Sequence, residues 1–271
     1  MPATDLPSPG LGTMYNTDPE ECAETIVRAA EIGYRHVDTA QKYENEAFVG
    51  DGIARADLPR EDLFVATKIH EENLAYEDVH RTAAESLDRL GLEYVDLLYV
   101  HWPAASSHED RYDPAETLRA FDELVEQGAT RHVGVANFSV DLLEEAHDHL
   151  DVPIFAHQIE MHPLLQQAEL LEYAREHDHH LVAYCPLMQG AIGEVPELLE
   201  IAEKHDATPA QVSLAWLMGK GAVPIPKATG AHLAENYRAH DLDLDPEDVE
   251  RIDAIDREER LIDPEKGPWN W

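Results

Sequence analysis

The order in which two periodicities alternate along the 271 residues constrains the fold more than any other feature. Short runs rich in Val, Ile, Leu and Tyr are each followed by a longer stretch whose apolar residues recur at helical spacing. The strand candidates, in chain order, are "PGLGT", "YRHVDTA", "LFVATKI", "YVDLLYVH", "RHVGVAN", "IFAHQIE", "LVAYCP" and "AVPIPKA". Between them lie "PEECAETIVRAAEIG", "NEAFVGDGIARA", "YEDVHRTAAESLDRLG", "PAETLRAFDELVEQG", "SVDLLEEAHDHL", "QAELLEYAREHD", "TPAQVSLAWLMGKG" and "AHLAENYRAH". Asp, Ser, Thr or Pro marks their starts, and Gly33, Gly91 and Gly128 stand at three of the ends, as the capping of free N–H and C=O groups favours. Eight strands alternating with eight helices predict parallel strands joined by right-handed crossovers. The strands are mostly continuous apolar runs, as a sheet covered by helices requires. The expected fold is therefore α/β, a (β/α)8 TIM barrel, and the length is close to the usual ~250 residues. A doubly wound open sheet is the structural rival. No linker or composition break marks a second domain, so residues 1–271 read as one. A further acidic helix, "PEDVERIDAIDREE", precedes a tail over 257–271. That tail ends in "LIDPEKGPWNW", too aromatic for a plain solvated terminus.

Charge narrows the partners. Against 56 Asp and Glu stand 20 Lys and Arg, a formal −36, and only six of the cations are lysines. The acid is spread over presumed helix faces (18–24, 144–151, 243–256) instead of forming one block, which argues against a disordered acidic tail. Such a surface is solvated, repels itself in dilute buffer and is screened by salt. The composition resembles that of proteins from organisms with molar salt in the cytoplasm. Nucleic acid is not an expected partner, because phosphate binding wants a basic patch. No apolar run approaches the ~20 residues of a membrane span, and "MPATDLPSPG" has no basic start with an apolar core behind it. Cys22 and Cys185 fall in different elements, so no disulfide framework is indicated. A cytoplasmic protein, monomeric and without membrane partners, is expected.

In a barrel of this kind the carboxyl ends of the strands face the active site. Strands two to eight end on Asp38, Lys68, His101, Asn137, Gln158, Tyr184 and Lys227. One histidine at a strand end is commonly a packing residue; seven polar or aromatic groups at successive ends converge on one mouth. Asp38, Tyr43, Lys68 and His101 combine a carboxylate, a phenol, an ammonium and an imidazole. A phenol holds its proton to about pH 10. A neighbouring ammonium favours the phenolate, and a carboxylate keeps that ammonium charged and oriented. An imidazole can donate a hydrogen bond to a carbonyl oxygen. The set suits delivery of a proton to a carbonyl as a hydride arrives.

On "GYRHVDTAQKYENE", "ATKI", "LLYVHWP", "GVANF", "AHQIEMHP", "AYCPL", "TPAQVSLAWL", "PIPKA" and "AENY", the chain resembles the aldo-keto reductases from "GLGT" to Asp256. It is similar in its compactness to the microbial branch that reduces small aldehydes, α-dicarbonyls and diketo sugar acids. The resemblance implies NADPH or NADH bound in extended form, with Tyr43 as general acid, tuned by Asp38 and Lys68, and with His101 orienting the substrate carbonyl. It further implies that Asn137 and Gln158 hold the carboxamide and that Tyr184 stacks on the nicotinamide. Leu187 would meet the pyrophosphate through its backbone, Lys227 the 2′-phosphate, and Glu235 and Asn236 the adenine. The chain departs from the family pattern at Ala136 and Cys185, each in place of a frequent Ser. Ala228 follows Lys227 where Ser is common, and His232 stands for an Arg that grips the 2′-phosphate. Lys227 alone therefore favours NADPH modestly, and NADH use is expected as well. The N-terminal hairpin that usually plugs the barrel bottom is largely missing. Met14, Tyr15, Trp102, Tyr112, Trp269 and Trp271 are candidates for an apolar substrate pocket, with short loops after strands four and seven.

"GDGIAR" mimics a phosphate loop, but no strand precedes it, and it reads as helix. The tract His177, His179, His180 reads as a solvated helix end, and no metal is expected. A metal-dependent hydrolase built on His101, His157 and His162 lacks a close histidine pair on one element. A non-catalytic, cofactor-binding barrel acting as redox sensor or regulatory subunit is the alternative from another class.

Overall fold

The computed structural model describes residues 6–103, 112–265 and 267–270. Eight strands form one parallel sheet in sequential order: β1 (Leu11–Gly12), β2 (His36–Asp38), β3 (Phe64–Ile69), β4 (Val95–Val100), β5 (Thr130–Ala136), β6 (Ile154–Glu160), β7 (His180–Tyr184) and β8 (Ala222–Pro224). The sheet closes on itself: Gly12 bridges Lys227 in parallel, and the Gly10 and Gly12 N–H groups donate to the Pro224 and Pro226 carbonyls. This seam explains the glycine in "GLGT", since a Cβ at Gly12 would lie 2.6 Å from the Ile225 carbonyl oxygen. All eight expected strands are present. The first is as short as "SPGLGT" suggested.

The helices are α1 (Pro19–Ile32), α2 (Glu46–Arg55), α3 (Tyr76–Leu90), α4 (Pro114–Glu126), α5 (Val140–His149), α6 (Ala168–Glu176), α7 (Pro196–His205), α8 (Pro209–Gly219), α9 (Ala231–Tyr237) and α10 (Pro246–Asp253). Asp18, Asp113, Ser139, Thr208 and Asp245 each cap a helix start by accepting a backbone N–H. Gly33 and Gly91 end α1 and α3 at positive φ. "GDGIAR" lies inside α2, as expected.

Two expectations fail. The helix α7 was not among the predicted helices, although Pro196 at its start and buried Leu198, Ile201 and Ala202 at helical spacing mark one. The loop after strand seven is accordingly not short: a 3₁₀ stretch over Met188–Glu194 and then α7 precede α8. The stretch after strand four lies largely outside the described residues, which omit 104–111. After strand seven the extra length is a second helix ahead of the covering one, which the periodicity of the flanking elements does not measure.

Strand period two then sorts side chains between barrel interior and helix layer. Val65, Leu98, Val100, Val133 and Val135 join the core between sheet and helices. Phe64, Ala66, Leu97, Tyr99, Ala136, Ala156 and Val182 form a separate inner cluster. The same inward parity carries on to Lys68, His101, Gln158 and Tyr184, and that is what delivers polar groups to the mouth.

Candidate active site

Asp38 ends β2 and is 1% exposed. The chain then turns through a 3₁₀ segment, Gln41–Tyr43, that closes with Glu44 in the left-handed region at φ 53°. This turn folds the phenol of Tyr43 back above the strand end, which accounts for the five-residue spacing. Lys68, on the neighbouring strand, is 0% exposed. Its ammonium donates to Asp38 Oδ1 at 2.5 Å, to the Thr39 carbonyl at 2.7 Å and to Tyr43 Oη at 3.4 Å. All three N–H donors of a buried charge are thereby used. The His101 ring stands edge-on to Tyr43 with centroids 5.9 Å apart. The four residues expected to act together are together.

Their proton affinities follow from burial and from one another. Burial raises the Tyr43 pKa and Lys68 opposes it, yet the balance stays above the ordinary phenol value. The expected pull of the ammonium is present, but desolvation outweighs it, so the phenol is protonated at neutral pH. Burial disfavours charge on Lys68, and Asp38 with Tyr43 more than offsets this, leaving the lysine above its usual range and charged. His101 is driven well below its ordinary range, first by burial and then by Lys68, Lys42 and His70. It is a neutral imidazole.

Asp38, Tyr43 and His101 line a cavity of about 1040 Å³. Ligand pockets commonly span about 300–1,000 Å³, so this one has room for an extended molecule and a small one. Asn137 stands just past β5 at φ 63°, a left-handed conformation that Asn tolerates. Its amide donates to the His101 carbonyl at 3.0 Å and accepts from Tyr184 Oη at 2.7 Å. Gln158 donates to Asp38 Oδ2 at 2.9 Å. Asn137 keeps one N–H and one lone pair, and Gln158 one N–H and its carbonyl oxygen, for a further partner, which fits a carboxamide beside Tyr43. Leu187 lies in a loop where Cys185, Met188, Gln189 and Gly190 all have positive φ. At the far end of the same cavity stand Lys227, His232, Glu235 and buried Asn236. His232 is exposed and lies 3.5 Å from Glu235, and Glu235 also accepts from the Thr208 hydroxyl at 2.9 Å. The donor set therefore fits a dinucleotide laid from Tyr43 to Asn236.

The expected pocket residues separate. Met14, exposed Tyr15 and buried Trp102 line the cavity. Tyr112 does not: it packs edge-on against Phe138. Trp269 leans on Trp102, ring centroids 5.6 Å apart, from a neighbouring groove and not from within the main cavity. Trp271 lies outside the described residues. The tail lines the cavity instead through Leu261, Ile262, Asp263 and Pro264.

The histidine tract is not solvated throughout: His177 stacks on Tyr173 at 3.9 Å and on His147 at 5.4 Å, and buried His179 packs beside the same two rings, at 6.0 Å from Tyr173 and 6.4 Å from His147. Among the described residues, one group could converge on a metal, His205, Asp245 and Asp248, and there Lys204 already bonds both carboxylates. His157 and His162, the hydrolase candidates, instead serve Phe138 and Glu160.

Sequence reasoning passed over two supports. Asn45 is 0% exposed and ties Thr39 to the Thr13 carbonyl, holding the loops around Asp38. Glu160, two residues beyond Gln158, is 1% exposed. For Glu160 a carboxylate inside an apolar strand end was the available signal, whereas Asn45 stands directly ahead of α2, where an Asn reads as an ordinary helix start.

A closed eight-stranded barrel whose mouth carries a charged Lys68, a protonated phenol and paired amides defines a dinucleotide-dependent oxidoreductase. Comparison with known proteins agrees. The aldo/keto reductase family model matches residues 10–257, and the chain belongs to that family, enzymes that reduce carbonyl groups with NAD(P)H. It is 41% identical over 266 residues to methylglyoxal reductase DkgB of Salmonella typhi, covering 96% of this chain and 97% of that one. To glyoxal reductase of Bacillus subtilis it is 38% identical over 258 residues, with 95% and 91% covered. A crystal structure of a Bombyx mori aldo-keto reductase in complex with NADP superposes with a TM-score of 0.89 at 30% identity, covering 97% and 93% of the two chains.

Proposed function

We propose that this reductase acts on small aldehydes, ketones and 1,2-dicarbonyl compounds, with Tyr43 as the general acid. The observation that carries the reading is Lys68, whose ammonium is bound at once to Asp38 and to Tyr43 at the cavity mouth. The dicarbonyl preference is supported by relatives named for methylglyoxal and glyoxal. The cavity residues would hold a nicotinamide beside Tyr43, and its chemistry would be donation of a hydride to the carbonyl carbon. The Tyr43 O–H bond breaks as its proton passes to the carbonyl oxygen, and Lys68 stabilises the phenolate left behind. Asp38 keeps Lys68 charged and aimed. Neutral His101 donates a hydrogen bond to the carbonyl oxygen, so substrate and acid share one geometry.

Asn137 and Gln158 would hold the carboxamide, Tyr184 would face the ring and the Leu187 loop would meet the pyrophosphate. Lys227 would take the 2′-phosphate, while Glu235, which sits 3.5 Å from His232, would join Asn236 at the adenine. With Lys227 as its main cation, that end favours NADPH modestly and admits NADH. Trp102, Met14 and Tyr15 form the substrate side, and the tail over 257–271 closes one wall. The chain works as a cytoplasmic monomer adapted to high salt, a reading supported by its formal charge of −36.

The test is oxidation of NADPH and of NADH by methylglyoxal, glyoxal and small aldehydes in high salt. Turnover with both cofactors, faster with NADPH, is expected. Tight cofactor binding with no turnover across the panel would overturn the reading in favour of a redox sensor.

A further inference from the structure

The motif "AHQIEMHP" contains a carboxylate to which the reaction assigns nothing. Glu160 ends β6 with its side chain 0% exposed, a costly place for a charge unless it is fully paired. It is paired chiefly to the tail. The Leu261 N–H donates to Oε1 at 2.7 Å and the Ile262 N–H to Oε2 at 2.8 Å. His162 completes the shell at 3.1 Å from Oε1. Because His162 Nδ1 accepts from the Leu164 N–H, the ring proton sits on Nε2 and is donated to Glu160. Burial alone would raise the Glu160 pKa; His162 and the two tail amides hold it below the ordinary range instead. A further bond, from the Glu259 N–H to the Leu164 carbonyl at 2.8 Å, fastens the same stretch.

The clamped residues are the ones that matter for the cavity. Leu261 and Ile262 line it, and so does Asp263, which accepts from Trp269 Nε1 at 2.8 Å. Trp269 in turn braces Trp102 beside His101. One buried carboxylate thus fixes the backbone of a wall that no helix or strand holds.

We propose that Glu160 is a positioning residue that sets substrate size selection by clamping the tail, so that the wall at Leu261 and Ile262 discriminates bulky from small carbonyl compounds. This rests on the reading, given above, of the tail as a wall of the substrate pocket. Substrates as small as methylglyoxal need only Tyr43 and His101, whereas an aromatic aldehyde must lie against the wall.

Glu160→Gln keeps the shape but sets an NH₂ group against one of the two donating amides. The loss of one charge-assisted bond predicts about a tenfold rise in KM for a substituted benzaldehyde. Little change is expected in kcat, in KM for methylglyoxal or in the Kd for NADPH. Ile262→Ala, which trims the wall and leaves the clamp, should also shift the benzaldehyde KM, and the double variant should do no more than the larger single effect. Additive effects would overturn the clamp, as would an unchanged benzaldehyde KM in Glu160→Gln while Ile262→Ala shifts it. A weakened NADPH Kd in Glu160→Gln would assign the residue to the cofactor side and overturn it too. No shift in either variant would remove the wall itself, and with it the reading on which the proposal stands.

Discussion

The two ends of the barrel bury polar side chains in opposite ways. At the mouth, Lys68 and Gln158 both bond Asp38, Asn137 bonds the His101 carbonyl and Tyr184, and the lysine stays charged. At the floor, His36 is 0% exposed and no side chain hydrogen-bonds its ring, whose polar contact is the Pro7 backbone. His36 meets Phe64 edge-on, Phe64 stacks with Phe155, and Phe155 stacks with His132 at 4.0 Å. The floor is a plug of neutral rings, in a chain with no strand before β1 among its described residues. Burial is tolerated at the mouth because charges are matched, and at the floor because charge is refused. The mouth is built for a reaction and the floor for closure.

The largest effect should come from breaking the matched pair. Lys68→Met leaves the Asp38 carboxylate buried with Gln158 and should cost about 3–5 kcal/mol of stability, measured by denaturant unfolding. Activity should fall by roughly 10²–10⁴. Adding Asp38→Asn should recover most of the stability and none of the activity; recovery of both would mean that the pair is structural.

Acid should attack the floor. Burial pushes the His36 pKa down to about 4. Its contribution is complete above the unfolded value near 6.5 and is lost as pH falls through about 4, because only the unfolded chain takes up the proton. Each unit of that shift is worth about 1.4 kcal/mol. The wild type should therefore lose stability relative to His36→Leu on acidification over this window, and parallel curves would contradict this. Lys68 has the opposite sign: its pKa is raised, so its contribution is complete below the ordinary value of 10.5 and is lost as pH rises through the folded value.

A smaller effect is expected at the far end of the cavity. Lys227→Ala should weaken NADPH binding by roughly tenfold, as for a lost charge-assisted bond, and leave NADH nearly untouched. Equal losses would remove the phosphate role. The smallest and most general is salt: with a formal −36, the melting temperature should climb from dilute to molar salt as repulsion is screened. A flat profile would contradict salt adaptation.

Much of the mouth was legible because strand period and barrel topology convert one-dimensional strand ends into a shared site. Asp38, Lys68, His101, Gln158 and Tyr184 need no more than that rule. Glu160 was less legible, since its partners lie about a hundred residues away in an irregular tail, and backbone amides leave no mark in a sequence. The sorting of Trp102 into the cavity and of Trp269 behind it depends on where the tail turns, which its composition does not state. The floor was less legible: that rings from β2, β3, β5 and β6 pack together there follows from register, not from any one motif.

The proposed mechanism turns on the proton held by Tyr43. Single-turnover hydride transfer from NADPH to methylglyoxal, followed by stopped flow in the wild type and in Tyr43→Phe, tests it together with the NADPH Kd of each. The prediction is a loss of about 10²–10⁴ in the transfer rate with an unchanged Kd. A Tyr43→Phe enzyme that transfers hydride at a rate near that of the wild type would show that the proton comes from elsewhere.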